Sequence, residues 1–268
     1  MISNFFLKRI VSSRVYKILL ITIAFIMIGT FIGIHPLNYG LYEGHALLRM
    51  TFVLVGNGDS SFSFLSTIMY SVLPLFILGG VTLNQINDQK SGFNLSVIAR
   101  LGRKKYLQQL YIGSGIMSAL LFSMPLIINH IVVFITKLFI SKTYADPINA
   151  DVMLPLKSET VWQWGVWSWQ HLIITDVIYS IGNIWLFVLF GTMLVSLGLV
   201  VTKLYQLVLL VLALYLPFWG GGGMSINKLM QPLIPVYLDK IILTYVILTI
   251  LVCVFNTIVY RYFVKRVI

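Results

Sequence analysis

The sequence predicts an all-α membrane protein with six transmembrane helices, and three observations support this fold class. Hydrophobic residues make up 59% of the 268 residues and charged residues only 10%, whereas a soluble domain has roughly 25% charged residues. The apolar residues fall in runs of about 20 or more, the length that a helix needs to cross a bilayer. Lys and Arg are concentrated in a few connecting segments, as expected for loops on the cytoplasmic side.

The N-terminal segment, residues 1–14, predicts an interfacial helix that lies along the membrane surface. Ile2, Phe6 and Ile10 recur on one helical face, and the basic residues between them can reach lipid headgroups. A frayed basic tail is the alternative interpretation of the same residues.

The rest of the chain forms one transmembrane domain. Its apolar runs predict spans at residues 15–34, 62–86, 108–138, 171–201, 204–219 and 241–260. With both termini in the cytoplasm, most of the 19 Lys and Arg residues face the cytoplasm, which satisfies the positive-inside rule. Residues 216–240 contain three prolines and four consecutive glycines, so they predict either a re-entrant outer segment or a flexible outer loop.

Residues 87–107 form a basic loop between the second and third spans. Phe93, Val97 and Leu101 recur at i, i+4 and i+8, which predicts a short helix with one apolar face. A helix of this kind, held at the cytoplasmic surface, is suited to docking on a partner. The alternative is a solvated loop whose charges only fix the orientation of the chain.

Several function classes are disfavoured because their motifs are missing. The chain has no GxSxG or HExxH motif, and its four histidines lack the spacing of metal ligands. We therefore predict no catalytic site, no metal site and no cofactor in this chain. It also lacks the phosphate-binding loop GxxxxGK[ST], so any ATP-driven work requires a partner chain. The basic residues lie in patches separated by spans, which argues against nucleic-acid binding.

Polar residues inside a predicted span mark a candidate substrate pathway. Asp176 and Asn183 lie seven residues apart on one face of the fourth span, and Tyr179 lies between them. Polar groups within a membrane usually face a partner or a cavity. A position of Asp176 at the outer interface is the alternative, because the fourth apolar run is longer than a span requires.

The loop also carries a family pattern. An acidic residue and a glycine are followed by an apolar helix and then by an R-x-x-Y-L segment that leads into the third span. The matching residues are Asp88, Gly92, Asn94, Leu95, Arg100, Arg103, Tyr106 and Leu107. With six spans and an amphipathic N-terminal helix, the chain resembles the type-two permease subunits of ATP-binding-cassette exporters. Two residues depart from the pattern, since Asp88 stands where Glu is commoner and Gly102 where Ser is usual.

The resemblance implies a function and a set of partners. The loop then contains the coupling helix, which sits in a groove of a nucleotide-binding ATPase subunit and transmits its motion to the spans. The residues assigned to this coupling are Asp88, Gly92, Phe93, Asn94, Val97, Arg100, Leu101, Arg103 and Tyr106. The partner ATPase binds ATP and Mg²⁺, and a second permease, identical or related, completes the pathway through the lipid membrane.

The resemblance also implies a substrate and a location. Small stand-alone permeases of this type often export amphipathic or antimicrobial peptides or similar hydrophobic substrates. The single cysteine and the many Lys and Ile residues suit the plasma membrane of a Gram-positive bacterium. An ATP-independent accessory or immunity membrane protein that sequesters a peptide is the alternative function.

Overall fold

The computed structural model describes residues 4–34, 74–139, 171–201, 203–219 and 238–265. Within these ranges the chain is almost entirely helical and contains no strand, so the all-α class is confirmed for them. The helices are α1 (Asn4–Ser12), α2 (Arg14–Ile34), a π-helical segment (Leu78–Thr82) continued by α3 (Leu83–Lys90), α4 (Phe93–Leu101), α5 (Arg103–Phe139), α6 (Leu172–Val200), α7 (Leu204–Trp219) and α8 (Leu238–Lys265).

The long helices coincide with the predicted apolar runs to within a few residues. Among the described residues, the segments Arg103–Val132, Ile174–Val200 and Asp239–Lys265 are long and apolar enough to cross a membrane, as expected of a transmembrane protein. Residues 62–73, which carry part of the second predicted span, lie outside the described residues. The same is true of residues 220–237, which carry most of the predicted re-entrant segment.

The core is built around α6, which packs against α5 along much of its length. The two helices run antiparallel, because Phe122 of α5 meets Phe187 of α6 while Tyr111 meets Ser196 further along. The rings of Phe122 and Phe187 are fully buried, with centroids 4.3 Å apart. This aromatic contact lies in an apolar cluster that also includes side chains of α2, α7 and α8.

Two adjacent glycines allow α2 to approach the π-helical segment closely. Gly79 and Gly80 lie in the π-helical segment, and a Cβ atom there would be 3.3 Å from the Leu19 and Tyr16 side chains, respectively. The Tyr16 hydroxyl donates a hydrogen bond to the Met117 carbonyl of α5 at 3.1 Å. These contacts fix α2 against both of its neighbours.

A chain of hydrogen bonds joins α5, α6 and α8 within the bundle. Tyr111 donates to Ser196 Oγ at 2.6 Å, and Ser196 donates to Asn256 Oδ1 at 2.6 Å. Asn256 Nδ2 in turn donates to Thr192 Oγ1 at 3.1 Å. Only 17% of the most apolar stretch of α8 is buried. These hydrogen bonds therefore contribute strongly to the orientation of α8.

Helix α1 lies at one end of the bundle. Phe6 and Ile10, two members of the predicted interfacial face, are buried against the protein itself. Phe6 belongs to a group of buried apolar residues that we call the end cluster. Its members are Phe6, Tyr106, Leu107, Leu110, Val195, Leu199 and Val259. The end cluster joins α1, α5, α6 and α8 beside the loop that carries α4.

Candidate docking site around helix α4

Helix α4 is connected to its neighbours by two glycines whose backbone conformations other residues rarely adopt. Gly92 has φ 70° and ψ 3°, and Gly102 has φ 77° and ψ 149°. A Cβ atom at either position would meet no atom within 4 Å, so backbone conformation alone demands glycine. The Gly102 N–H donates to the Ile98 carbonyl at 2.8 Å, and the Gly102 carbonyl accepts from the Tyr106 N–H at 3.1 Å. Gly102, a departure from the family pattern, therefore sets the angle between α4 and α5.

Helix α4 has an inner face towards the bundle and an outer face. None of its residues is fully buried. On the inner face, Val97 and Ile98 pack against the end cluster. On the outer face, Leu95, Ser96 and Ala99 are exposed, and Leu95 retains 55% of its accessible surface.

The predicted apolar face of α4 is not its most exposed one. Phe93, Val97 and Leu101 are each half-buried, so part of their apolar surface is covered by the protein itself. The apolar surface that α4 leaves open to a partner is centred on Leu95.

Asp88 lies near the end of α3, and its side chain is only 4% exposed. Its carboxylate forms an ion pair with the guanidinium of Arg9 in α1. The same guanidinium lies over the Phe93 ring of α4, with Cζ 4.4 Å from the ring centroid, which is the geometry of a cation–π contact. Arg9 therefore joins α1, α3 and α4.

Phe6 provides a second contact between α1 and the loop. Its ring meets the ring of Tyr106 edge to face, with centroids 5.5 Å apart. Because Tyr106 lies in the first turn of α5, helix α1 contacts residues on both sides of α4. From the sequence, Arg9 is expected only at lipid headgroups, and its contacts with Asp88 and Phe93 are not predicted. The one available signal was Asp88, the single acidic residue of an otherwise basic loop.

Burial and the Arg9 charge act in opposite directions on Asp88. Removal from water raises the pKa of the Asp88 carboxyl above its ordinary range, and the positive charge of Arg9 offsets part of this rise. Removing one partner of a buried ion pair is more costly than removing both, since the remaining charge is left without water or a counterion.

The other residues assigned to coupling are half-buried or exposed. Asn94 and Arg103 are half-buried, whereas Arg100 is exposed, as are the neighbouring Lys104 and Lys105. The outer side of the loop is therefore basic.

The predicted substrate-pathway residues lie on α6, next to a histidine of α5 that has no predicted role. Asp176, Tyr179 and Asn183 are all buried. His130 of α5 lies beside them, with its Nε2 atom 2.5 Å from Asp176 Oδ2. The two residues are 46 positions apart, and the histidines were considered only as metal ligands. No spacing in the sequence indicates this pair.

An apolar groove of about 540 Å³ opens between α6 and α8, and Tyr179 lies in its lining together with Trp185 and Tyr245. Gly182 leaves room for Tyr245, because a Cβ atom at Gly182 would be 3.0 Å from the Tyr245 hydroxyl. The groove therefore suits an apolar or aromatic group. In the part of the chain that the structure describes, no three His, Cys, Asp or Glu side chains are grouped so as to hold a metal ion.

Comparisons with known proteins add no assignment to these observations. No family model, no curated protein and no solved structure matches the chain. The functional interpretation therefore rests on the residues and contacts described above.

Proposed function

We propose that this chain is the permease subunit of an ATP-driven exporter, embedded in the cell membrane and powered by a separate ATPase subunit that binds ATP and Mg²⁺. The observation that best supports this proposal is helix α4. Its nine residues include no buried one, and it is flanked by two glycines with positive φ. Such a helix keeps part of its surface open, and it is suited to docking in a groove of another chain.

The connections of α4 support the transmission of movement to the bundle. On its C-terminal side, α5 runs for 37 residues from the loop into the core. On its N-terminal side, Arg9 joins α4 to α1 and to the end of α3. A partner that displaced α4 would therefore move α1 and α5 as rigid elements.

The proposed exporter has six spans, cytoplasmic termini and a second permease, identical or related, beside it. Helix α2 has 21 residues, or about 31 Å at the rise of an α-helix, which is close to the thickness of the hydrocarbon core. Helix α8 leaves most of its apolar surface open, and lipid or the second permease would cover it. Composition alone supports the plasma membrane of a Gram-positive bacterium as the location.

The proposed substrate is an amphipathic or antimicrobial peptide, or a similar hydrophobic molecule, that leaves the cell. The groove between α6 and α8 is apolar, and Tyr179 in its lining lies one turn from the buried carboxyl of Asp176. An apolar surface with a few polar groups beside it is typical of ligand sites, and this combination suits a substrate that is mainly apolar and carries a few polar groups.

The test compares Leu95→Asp with Lys104→Ala in a tagged chain, purified from the membranes of its own host together with the accompanying ATPase. Leu95 is 55% exposed, and surface substitutions usually change stability by no more than about 0.5 kcal/mol. An unpaired carboxylate in an apolar groove of a partner, by contrast, is strongly unfavourable. We expect Leu95→Asp to insert normally but to lose the co-purifying ATP hydrolysis, and Lys104→Ala to keep it.

Two outcomes would contradict the proposal. Hydrolysis and peptide export that persist in Leu95→Asp would show that α4 is not the docking element. A wild-type chain that purifies without an ATPase, and protects cells from a peptide without consuming ATP, would instead support the accessory or immunity protein.

A further inference from the structure

His130 and Asp176 form a hydrogen-bonded pair between α5 and α6. The Nδ1 atom of His130 lies 2.7 Å from the Leu126 carbonyl oxygen. Its Nε2 atom lies 2.5 Å from Asp176 Oδ2. Both ring nitrogens therefore face oxygen atoms.

This geometry fixes the number of protons in the pair. A carbonyl oxygen only accepts hydrogen bonds, so Nδ1 must carry a proton, and a neutral imidazole then has none left for Nε2. A carboxylate is also only an acceptor, and two acceptors at 2.5 Å repel each other. Both contacts are satisfied if a second proton lies between Nε2 and Oδ2, on either atom. In both cases the pair as a whole is electrically neutral.

The surroundings of the pair favour this neutral state. Asp176 is 8% exposed, and Thr175 beside it and Asn183 two turns away are fully buried. Within the described ranges, no Lys or Arg forms an ion pair with Asp176. An isolated carboxylate at such a site is costly, and the bound proton removes that cost.

Among the described side chains, the other titratable groups near the pair belong to α6 and α8. Tyr179 of α6 and Tyr245 of α8 line the same groove, and His171 lies at the start of α6. Because Asn256 of α8 meets Thr192 of α6 and Trp185 meets Thr249, the two helices run parallel. Their register brings the exposed first-turn residues of α8, Asp239 and Lys240, to the level of the pair.

We propose that His130 and Asp176 form a proton-binding site within the helical bundle, which holds one proton between Nε2 and Oδ2 and thereby links α5 to α6. The side chain of His130 is 33% exposed, so the pair lies at the surface of the bundle. Release of the proton to water leaves one negative charge on Asp176 opposite a nitrogen lone pair. The hydrogen bond between α5 and α6 is then lost. This site does not require the exporter function, because it depends only on the contacts of these two helices.

Nuclear magnetic resonance of the full chain in lipid nanodiscs tests the site directly. The chain is labelled with ¹⁵N-histidine and ¹³C-aspartate, and His130→Gln identifies the His130 signals. At about pH 7.5, one unit above the usual histidine pKa, we expect the wild-type pair to hold two protons. They appear either as a doubly protonated ring or as a singly protonated ring with a neutral Asp176 carboxyl. In Asp176→Asn we expect the His130 ring to carry one proton. The fraction of His130 rings with two protons should be at least about tenfold lower than for a ring that is paired with a carboxylate.

The controls separate this site from general effects. His171→Gln should leave the His130 and Asp176 signals unchanged. A wild-type spectrum with a singly protonated His130 ring and an ionised Asp176 carboxylate would overturn the proposal. A doubly protonated ring that persists in Asp176→Asn would overturn it as well. If Asp176→Asn fails to fold, the wild-type spectrum alone decides.

Discussion

The replacement of Arg9 by Ala tests whether α1 stabilises the loop that carries α4. The substitution removes the guanidinium that pairs with Asp88 and lies over Phe93. It leaves the charge of the Asp88 carboxylate, which is only 4% exposed in the wild type, uncompensated. We therefore expect the loop, and with it the packing of α1 on the bundle, to be destabilised.

The expected magnitude follows from the two contacts. Breaking a buried ion pair by removing one partner costs about 3 to 5 kcal/mol, an exposed pair contributes only about 0 to 1 kcal/mol, and a cation–π contact at an exposed site contributes about 0.5 to 1 kcal/mol. Because the Arg9 side chain is 37% exposed, water screens part of both contacts. We therefore expect a loss of about 2 kcal/mol in the free energy of unfolding.

The dependence on pH has a defined sign. Burial raises the pKa of the Asp88 carboxyl, and the loss of the Arg9 charge would raise it further. The folded Arg9→Ala protein then binds the Asp88 proton more tightly than the unfolded chain does, so its stability falls as pH rises between the unfolded and the folded pKa values. The deficit relative to wild type should be complete above the folded pKa and should shrink as pH falls below it.

Thermal unfolding in detergent measures these effects. It is monitored as the loss of monodisperse protein on heating. The double variant Arg9→Ala/Asp88→Asn is the matched control, since it removes the buried charge together with its partner and should recover part of the loss. Equal instability of the single and double variants, or an Arg9→Ala protein as stable as wild type at neutral pH, would refute the argument.

Two further predictions concern the loop and its orientation. Gly102→Ala should lower stability by about 1 to 3 kcal/mol in the same heating assay, because its φ and ψ angles are costly for any other residue. Gly113→Ala, where a Cβ atom would make an ordinary 3.5 Å contact in a regular helix, should be tolerated. In a Cys253→Ser background, a membrane-impermeant thiol reagent applied to intact cells should label Asp239→Cys and leave Lys104→Cys unlabelled, and labelling of both would contradict the proposed orientation.

The positions of the helices could be predicted from the sequence, because apolar runs as long as those of α5, α6 and α8 have no other stable form in a bilayer. The short helix α4 was also predictable from its spacing of Phe93, Val97 and Leu101. The sequence did not predict which face of α4 remains open, because this depends on the end cluster that packs beneath Val97. A periodic pattern identifies an apolar face but does not say whether the protein itself covers it.

The contacts between distant residues were beyond sequence reasoning for a physical reason. Arg9 and Asp88 belong to different helices and meet only when α1 packs across the end of the bundle. His130 and Asp176 meet because α5 and α6 are antiparallel with a particular register. Gly102 was treated as a departure from a family pattern, whereas its positive φ shows what the backbone requires there.

The hydrogen bonds of Asn256 have a consequence for biogenesis. Helix α8 is synthesised after α5 and α6, and it carries an amide side chain into an otherwise apolar segment. In lipid, an unpaired amide is costly. In the complete bundle Ser196 also pairs with Tyr111, and Thr192 donates to the Leu189 carbonyl at 3.0 Å, so each hydroxyl has a second partner besides Asn256. The bundle satisfies the amide of α8 in the observed register, and a chain that held α8 in another register would leave this amide unpaired in lipid.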